Sequence, residues 1–185
     1  MKNCRFQISD SKLFFLFAVI LSFGVLFSNV SAQKRDSLTE FEADLIREAQ
    51  EIDVRMSVFI KAIDRRFMLI ENPNATQTEK EEEKFGELPK GTKTQFLRDI
   101  ERLLDESINN IDDTAKLDLK NKLLPKAMKT LVEGCKRFLP KLTALDEKTT
   151  EKAERNSIAN AIEYCNEIIE AQTKIPEPEP PKKKT

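Results

Sequence analysis

Residues 37–71 read SLTEFEADLIREAQEIDVRMSVFIKAIDRRFMLIE, and this stretch indicates the fold class. Its apolar residues recur every three or four positions, at Phe41, Leu45, Ala49, Ile52, Met56, Phe59, Ile63, Phe67 and Ile70. Such spacing places them on one face of an α-helix, which repeats every ~3.6 residues. The stretch therefore predicts one amphipathic helix over residues 38–71.

Polar residues support this helix at its start, its end and its outer face. Thr39 with Glu42 has the spacing of a capping box, as does Ser37 with Glu40. Pro73 ends the helix, because the residue before a proline avoids the α conformation. The face opposite the apolar stripe carries charged residues that we expect in solvent, namely Glu42, Glu48, Glu51, Arg55, Arg65 and Arg66. At about 33 residues, this helix would be about 50 Å long and would outrun its partners.

Three further regions show helical periodicity, residues 94–112, 115–145 and 149–174. We expect Thr149 or Thr150 to cap the last of them. Together with the first helix they predict an all-α fold. The single domain over residues 33–174 is expected to be a four-helix bundle with a long first helix and a third helix broken by prolines.

Prolines divide the third region. We expect a break at residues 112–114 and then a short helix before Pro125. Proline suits the first turn of a helix, whereas Pro140 in a helix interior would cost about 3 kcal/mol. A main helix over residues 124–139 and a kinked continuation are therefore predicted.

The loop over residues 72–93 is long and polar. It contains an acidic run at residues 79–84, and a short helix over Glu79–Phe85 fits this part of the sequence. Connections of about 20 residues without regular structure are often functional or disordered. The sequence leaves two interpretations open, a plain solvated connection and a recognition loop.

The first 32 residues have the three parts of a secretory signal peptide. Basic residues precede an almost entirely apolar stretch at residues 13–27, and small residues at 30–32 form an A-x-A-like cleavage site. Cleavage is expected between Ala32 and Gln33. The mature chain would then work outside the cytoplasm, in the periplasm or as a secreted protein.

A retained N-terminal membrane anchor is the alternative to cleavage. Residues 13–30 are almost long enough to span a bilayer, although polar residues dilute their second half. Both interpretations place Gln33 and everything after it in an extracytoplasmic space. The chain is expected to contact the membrane only through an uncleaved signal segment.

The composition excludes several classes of function. The chain contains no histidine, which removes Ser–His and Cys–His nucleophile pairs and histidine-bearing zinc sites. Its 31 basic and 32 acidic residues are mixed along the chain, so no nucleic-acid-binding surface is indicated. The few glycines form no phosphate-binding loop. We therefore expect no catalytic residues, no metal and no cofactor.

Two cysteines remain after removal of the signal peptide, Cys135 and Cys165. Each is in step with the apolar stripe of its helix, and their midpoint falls in the predicted turn near residue 150. An antiparallel hairpin would therefore place the two cysteines almost level with each other. Because exported proteins fold in oxidising compartments, we expect a structural Cys135–Cys165 disulfide, with two buried free thiols as the alternative.

Two functions fit an exported helical domain without catalytic residues. The first is a structural or protein-interaction module that binds an unidentified partner protein in the cell envelope or secreted space. The second is a carrier or sensor that holds a small apolar ligand or lipid between its helices. Its candidate pocket residues are Phe59, Phe67, Phe96 and Phe138. Aromatic residues at helical spacing are more often plain core, and no oligomeric state is indicated.

The last segment, residues 175–185, differs in composition from the domain. Proline alternates with glutamate and is followed by lysines at 182–184. Such a sequence favours an extended polyproline conformation over a helix, so a disordered, solvated tail is predicted. A cationic tip for an anionic polymer or lipid is a second interpretation, but three lysines are fewer than membrane recognition usually needs.

Overall fold

The computed structural model describes residues 36–174, and all regular structure in this part of the chain is helical. The helices are α1 (Glu40–Glu48), α2 (Ile52–Glu71), α3 (Glu79–Phe85), α4 (Lys93–Leu117), α5 (Leu124–Lys148) and α6 (Lys152–Ala171). A single turn of 3₁₀-helix, Gln172–Lys174, follows α6. The predicted all-α fold class is confirmed. The predictions on residues 1–32 and 175–185 lie outside the described residues.

Four helices, α2, α4, α5 and α6, surround one apolar core. Helix α2 packs against α4 and α5, and α6 packs against the same two helices. Arg55 near the start of α2 donates to Asn110 near the end of α4 at 3.1 Å, so these helices are antiparallel. Lys126 near the start of α5 pairs with Asp53 near the start of α2 at 2.6 Å, so these helices are parallel. The α4–α5 connection therefore crosses the diagonal of the bundle.

The predicted long first helix is wrong, because the chain breaks between α1 and α2. Ala49 and Glu51 have extended backbone, with ψ of 94° and 132°. Residues 49–51 contain neither proline nor glycine. Arg55 donates through Nε and Nη2 to the Ala49 carbonyl oxygen at 3.2 and 2.9 Å. This arginine thus satisfies a carbonyl group that the break deprives of its helical donor.

A buried ionic cluster explains why α1 folds back onto α2. Arg66 donates to both carboxylate oxygens of Glu42, at 2.6 and 2.7 Å, and Arg65 donates to one of them at 2.7 Å. Asp99 lies 4.0 Å from Arg66 Nε, and all four side chains are at least 96% buried. In one continuous helix, Glu42 and Arg65 would be about 35 Å apart. The expectation of solvent exposure is therefore wrong for Glu42, Arg65 and Arg66, whereas Glu48 and Glu51 are exposed as predicted.

Arg65 also fixes the segment that follows α3. Its two terminal nitrogens donate to the carbonyl oxygens of Phe85 and Gly86, each at 2.8 Å, and to that of Glu87. Carbonyl groups at a helix end lack helical donors, so the guanidinium group replaces them. Burial lowers the pKa of Arg65, and the charge of Glu42 opposes this shift. One buried cation therefore joins α1, α2 and the loop.

Helix α3 is the short helix that the sequence allowed within the predicted loop over residues 72–93. The Thr78 hydroxyl accepts from the Glu81 backbone N–H at 3.3 Å and caps its start. Gly86 ends it with a φ of 70°, a conformation that strains other residues. Lys61 pairs with Glu81 at 2.7 Å, and this hydrogen bond lowers the pKa of Glu81. The ion pair ties α3 to α2.

Helix α4 continues through the break predicted at residues 112–114. The Thr114 hydroxyl donates to the carbonyl oxygen four residues earlier at 2.8 Å and does not cap a new helix. The short helix predicted after it is also wrong, because residues 118–123 lie between helices and form turns. There the side chains of Asp118 and Asn121 accept hydrogen bonds from backbone N–H groups two residues later. Such local bonds compete with helix formation.

Helix α5 runs without interruption over Leu124–Lys148, so the division predicted at Pro140 is wrong. Proline leaves the carbonyl group of Lys136 without its helical donor. Both residues are exposed, so this carbonyl group lies on the solvent side of α5 and is not left unpaired in the core. Pro125 lies in the first turn, as predicted.

Helix α6 begins three residues later than predicted, and neither Thr149 nor Thr150 caps it. Thr149 instead ends α5 and is buried beside Glu154. The Glu154 carboxylate accepts hydrogen bonds from Lys93 at 2.7 Å and Thr94 at 2.8 Å. Burial alone would raise the pKa of Glu154, but these bonds lower it. The start of α6 is therefore fixed by contacts to α4.

We expect Glu42→Gln to lower the free energy of unfolding by about 3–5 kcal/mol, because two buried guanidinium groups lose their counter-charge. Asp44→Asn is the matched control on the same helix, since its pair with Arg47 is exposed and worth at most about 1 kcal/mol. Urea unfolding followed by circular dichroism measures both. Equal stability of the two variants would contradict the role assigned to the cluster.

Candidate functional site

A cavity of about 370 Å³ opens at one end of the bundle, where α4 and α6 end and α5 begins. We call it the end cavity. Its apolar floor is formed by Ile108, Ile111, Met128, Leu131 and Ile168. Its rim carries Asp112, Glu167, Glu170 and Lys174. The volume lies in the lower part of the range, about 300–1,000 Å³, that is typical of ligand sites.

The rim of the end cavity has an excess of negative charge. Among the described residues, Asp112, Glu167 and Glu170 form no ion pair. Glu170 lies in the last turn of α6, where the helix dipole disfavours a carboxylate, and Asp112 and Glu167 lie one turn before the ends of their helices. The rim therefore carries three carboxylates and one described cation, Lys174.

The negative charge continues along the surface that α4 and α6 share. Tyr164, the only tyrosine in the chain, is half-buried on this surface. Burial raises the pKa of Tyr164, and nearby carboxylates raise it further, those of Asp105, Glu101, Glu167 and Glu163. We call these four carboxylates the acidic face. Glu167 belongs to both the acidic face and the rim of the end cavity, so the two are continuous.

Two leucines are exposed at the same end of the bundle. Leu117, the last residue of α4, is 89% exposed, and Leu119 in the following turn is 52% exposed. Single exposed apolar side chains are ordinary, but neighbouring ones mark contact surfaces more often. We call this pair the apolar tip. It lies where the end of α4 connects to α5, and both helices line the end cavity.

A second, more open depression of about 510 Å³ lies between α1 and residues 86–90. Phe41 lies in it and is 43% exposed, although the sequence pattern placed Phe41 in the buried stripe. A Cβ atom on Gly86 would lie 2.7 Å from the Phe41 side chain, so this close approach requires glycine. We consider the end cavity the better site, because three helices enclose it.

The four phenylalanines of the predicted pocket line neither cavity. Phe59, Phe67 and Phe138 are at most 1% exposed, and Phe96 is 5% exposed. The rings of Phe67 and Phe138 stack with centroids 5.2 Å apart. The structure therefore places these residues in the core of the bundle, and the residues that line the end cavity come from elsewhere in the sequence.

Cys135 and Cys165 are fully buried and both free, so the predicted disulfide is not formed. The alternative of two buried free thiols is the one that the structure shows. Interaction with Cys165, followed by burial, raises the pKa of Cys135 well above its usual range. A disulfide needs the sulfur atoms about 2.05 Å apart with a narrow range of torsion. The packed helices hold the side chains as neighbouring thiols instead.

Neither a metal centre nor a membrane span is found within residues 36–174. No group of three or more His, Cys, Asp or Glu side chains there is placed to hold a metal ion. None of the helices in this part of the chain combines the length and apolarity needed to cross a bilayer. Protein-family models, curated proteins and solved structures were all compared with the chain, and none matches it. The functional argument therefore rests on the site itself.

The sequence contained one signal for the end cavity that periodicity did not reveal. Two parallel neighbouring helices, α4 and α6, carry acidic residues near their C-terminal ends. These residues are Asp112, Glu167 and Glu170. Helices usually carry basic residues at that end. Helix α4 does so with Lys116, whereas the last turn of α6 has no basic residue and contains Glu170. The reversed charge at the end of α6 marks one side of the rim. The apolar floor carried no such signal, because its residues resemble any other core residues.

We expect Cys135 and Cys165 to resist Ellman's reagent in the folded protein and to react fully in denaturant. Burial excludes the reagent, and the raised pKa of Cys135 keeps its thiol protonated. Alkylation followed by peptide mass analysis assigns each thiol and separates both from Cys4. A pair that stays unreactive in denaturant until it is reduced would show a disulfide and contradict the structure.

Proposed function

We propose that this protein is an exported, non-enzymatic interaction module that binds a partner protein at the end of the bundle carrying the end cavity. The observation that carries the proposal is the exposure of Leu117 and Leu119 at the same end as the end cavity. An exposed apolar pair next to an enclosed apolar depression is the arrangement by which interfaces anchor a partner. The partner is a protein of the envelope or secreted space.

The export component of the proposal is supported by the sequence of residues 1–32. Its basic start, apolar middle and small residues before Gln33 follow the order of a signal peptide. The non-enzymatic component is supported by the absence of histidine from the sequence. It is further supported by the roles of the buried charged groups, because Glu42, Arg65 and Arg66 bind one another and backbone carbonyls.

A carrier of a small apolar ligand is the second candidate function. The apolar floor of the end cavity favours it, and this replaces the phenylalanine pocket as the location of such a ligand. Native mass spectrometry of the protein purified from its own source tests this function. A ligand that remains bound and is lost on Leu131→Gln, which puts a polar side chain in the floor, would support it.

We expect the mature protein to begin at Gln33. N-terminal sequencing of the extracytoplasmic fraction measures this directly. Ala32→Asp should block processing, since the cleavage site needs a small residue there, and Gln33→Ser should leave processing intact. A full-length chain recovered from the cytoplasm in both cases would contradict export.

We expect Leu117→Ser combined with Leu119→Ser to reduce capture of the native partner by the immobilised protein. Both side chains are exposed, so the double variant should keep its stability within about 0.5 kcal/mol per site. Phe41→Ser is the matched control, because it removes an exposed apolar side chain at the other depression. Quantitative mass spectrometry of the captured proteins measures the effect. If only Phe41→Ser reduces capture of the partner, the interface lies at α1 and the proposal is contradicted.

A further inference from the structure

We infer that the end cavity and the acidic face receive a cationic peptide segment of the partner, which inserts an apolar side chain into the cavity. The inference deepens the proposed function and rests on it, because both assign binding to the same end of the bundle. The segment would place arginine or lysine side chains along Asp112, Glu167 and Glu170 and along the acidic face. Its apolar side chain would contact the floor of the cavity.

The carboxylates form two lines that run side by side. On α4, Glu101 and Asp105 stand one helical turn apart, and on α6 Glu163 and Glu167 do the same. Asn160 of α6 donates to Glu101 at 2.7 Å, which fixes the register of the two helices. Each line then continues to the rim of the end cavity. A cationic segment lying along this surface would therefore meet carboxylates at every turn.

Carboxylates outnumber cations in this arrangement. Like charges repel along each line, and Glu170 in the last turn of α6 also opposes the helix dipole. Lys174 is the one cation among the residues that line the end cavity. Positive charge from a partner would relieve both effects, so the occupant favoured by the surface is cationic.

The apolar part of the cavity favours a peptide side chain over a lipid. The cavity of about 370 Å³ opens to solvent at the end of the bundle, so an apolar side chain of a peptide can enter it. Three helices enclose the floor, as required for one apolar anchor. Leu117 and Leu119 add apolar contact outside the cavity, which a polypeptide partner can reach and a small ligand cannot.

Tyr164 provides a direct probe of this surface. The chain has one tyrosine and no tryptophan, so ultraviolet titration reports on Tyr164 alone. The probe ligand is a short amidated peptide of alternating arginine and leucine, because arginine keeps its charge while tyrosine titrates. We expect this peptide to bind in calorimetry and to lower the pKa of Tyr164. Matched peptides of arginine with serine and of glutamate with leucine should bind at least tenfold more weakly.

The charge requirement is tested with Asp112→Asn, Glu167→Gln and Glu170→Gln combined in the full chain. We expect this variant to bind the arginine–leucine peptide about tenfold more weakly, from three exposed charge pairs. Its Tm should not fall, because the three side chains are exposed and form no ion pair among the described residues. The control combines Glu79→Gln, Glu82→Gln and Glu83→Gln on exposed α3, and should change binding less than twofold.

The outcomes separate this inference from the proposed function. Failure of the peptide to bind, or equal binding to both triple variants, overturns the inference, while capture that depends on Leu117 and Leu119 would still support the proposed function. If the peptide binds but capture does not depend on Leu117 and Leu119, the inference is supported and the proposed function is overturned. If Lys182→Gln, Lys183→Gln and Lys184→Gln together raise the pKa of Tyr164 in the free protein, the occupant is the chain's own tail and the inference is overturned.

Discussion

The pairing of one buried carboxylate with two buried guanidinium groups determines the course of the chain in the first half of this protein. Glu42 cannot reach Arg65 and Arg66 unless the chain turns between them, so the turn at residues 49–51 follows from the pairing. Burying such charges is costly unless each is paired and hydrogen-bonded. Here the arginines also bind the carbonyl oxygens of Ser37, Ala62 and residues 85–87, which satisfies most of their donors.

The bundle consequently has two ends of different character. The end where α4 begins contains the buried cluster around Arg66 and the polar contacts of Glu154 with Lys93 and Thr94. These contacts cross-link helices and loops, and the carboxylates that accept them are buried. At the other end, the carboxylates around the end cavity are exposed and face solvent, and Leu117 is uncovered. Most of the buried charge thus lies at one end of the bundle and the end cavity at the other.

Periodicity predicted the fold class and the existence of the four bundle helices, because burial of an apolar stripe is what holds each helix in place. Periodicity failed where polar contacts determine the residue at which a helix begins or ends. The α1–α2 break depends on a carbonyl bonded by Arg55, and the late start of α6 depends on Glu154. The end cavity was missed for a related reason. Ile111 and Leu131 in its floor are apolar like core residues. They differ from core residues only because the helix ends leave a cavity beside them.

The charged residues of the first segment could have been interpreted differently from their positions. Arg66 follows Ile63 by three residues and precedes Ile70 by four, so it is in step with the apolar stripe. Glu42 precedes Leu45 by three residues and is likewise in step with a stripe. Burying a single charge at such a position is unfavourable. Two opposite charges that pair can offset the free-energy cost of burying them. Because a straight helix would hold them far apart, the pairing of Glu42 with Arg66 needs a fold-back between them.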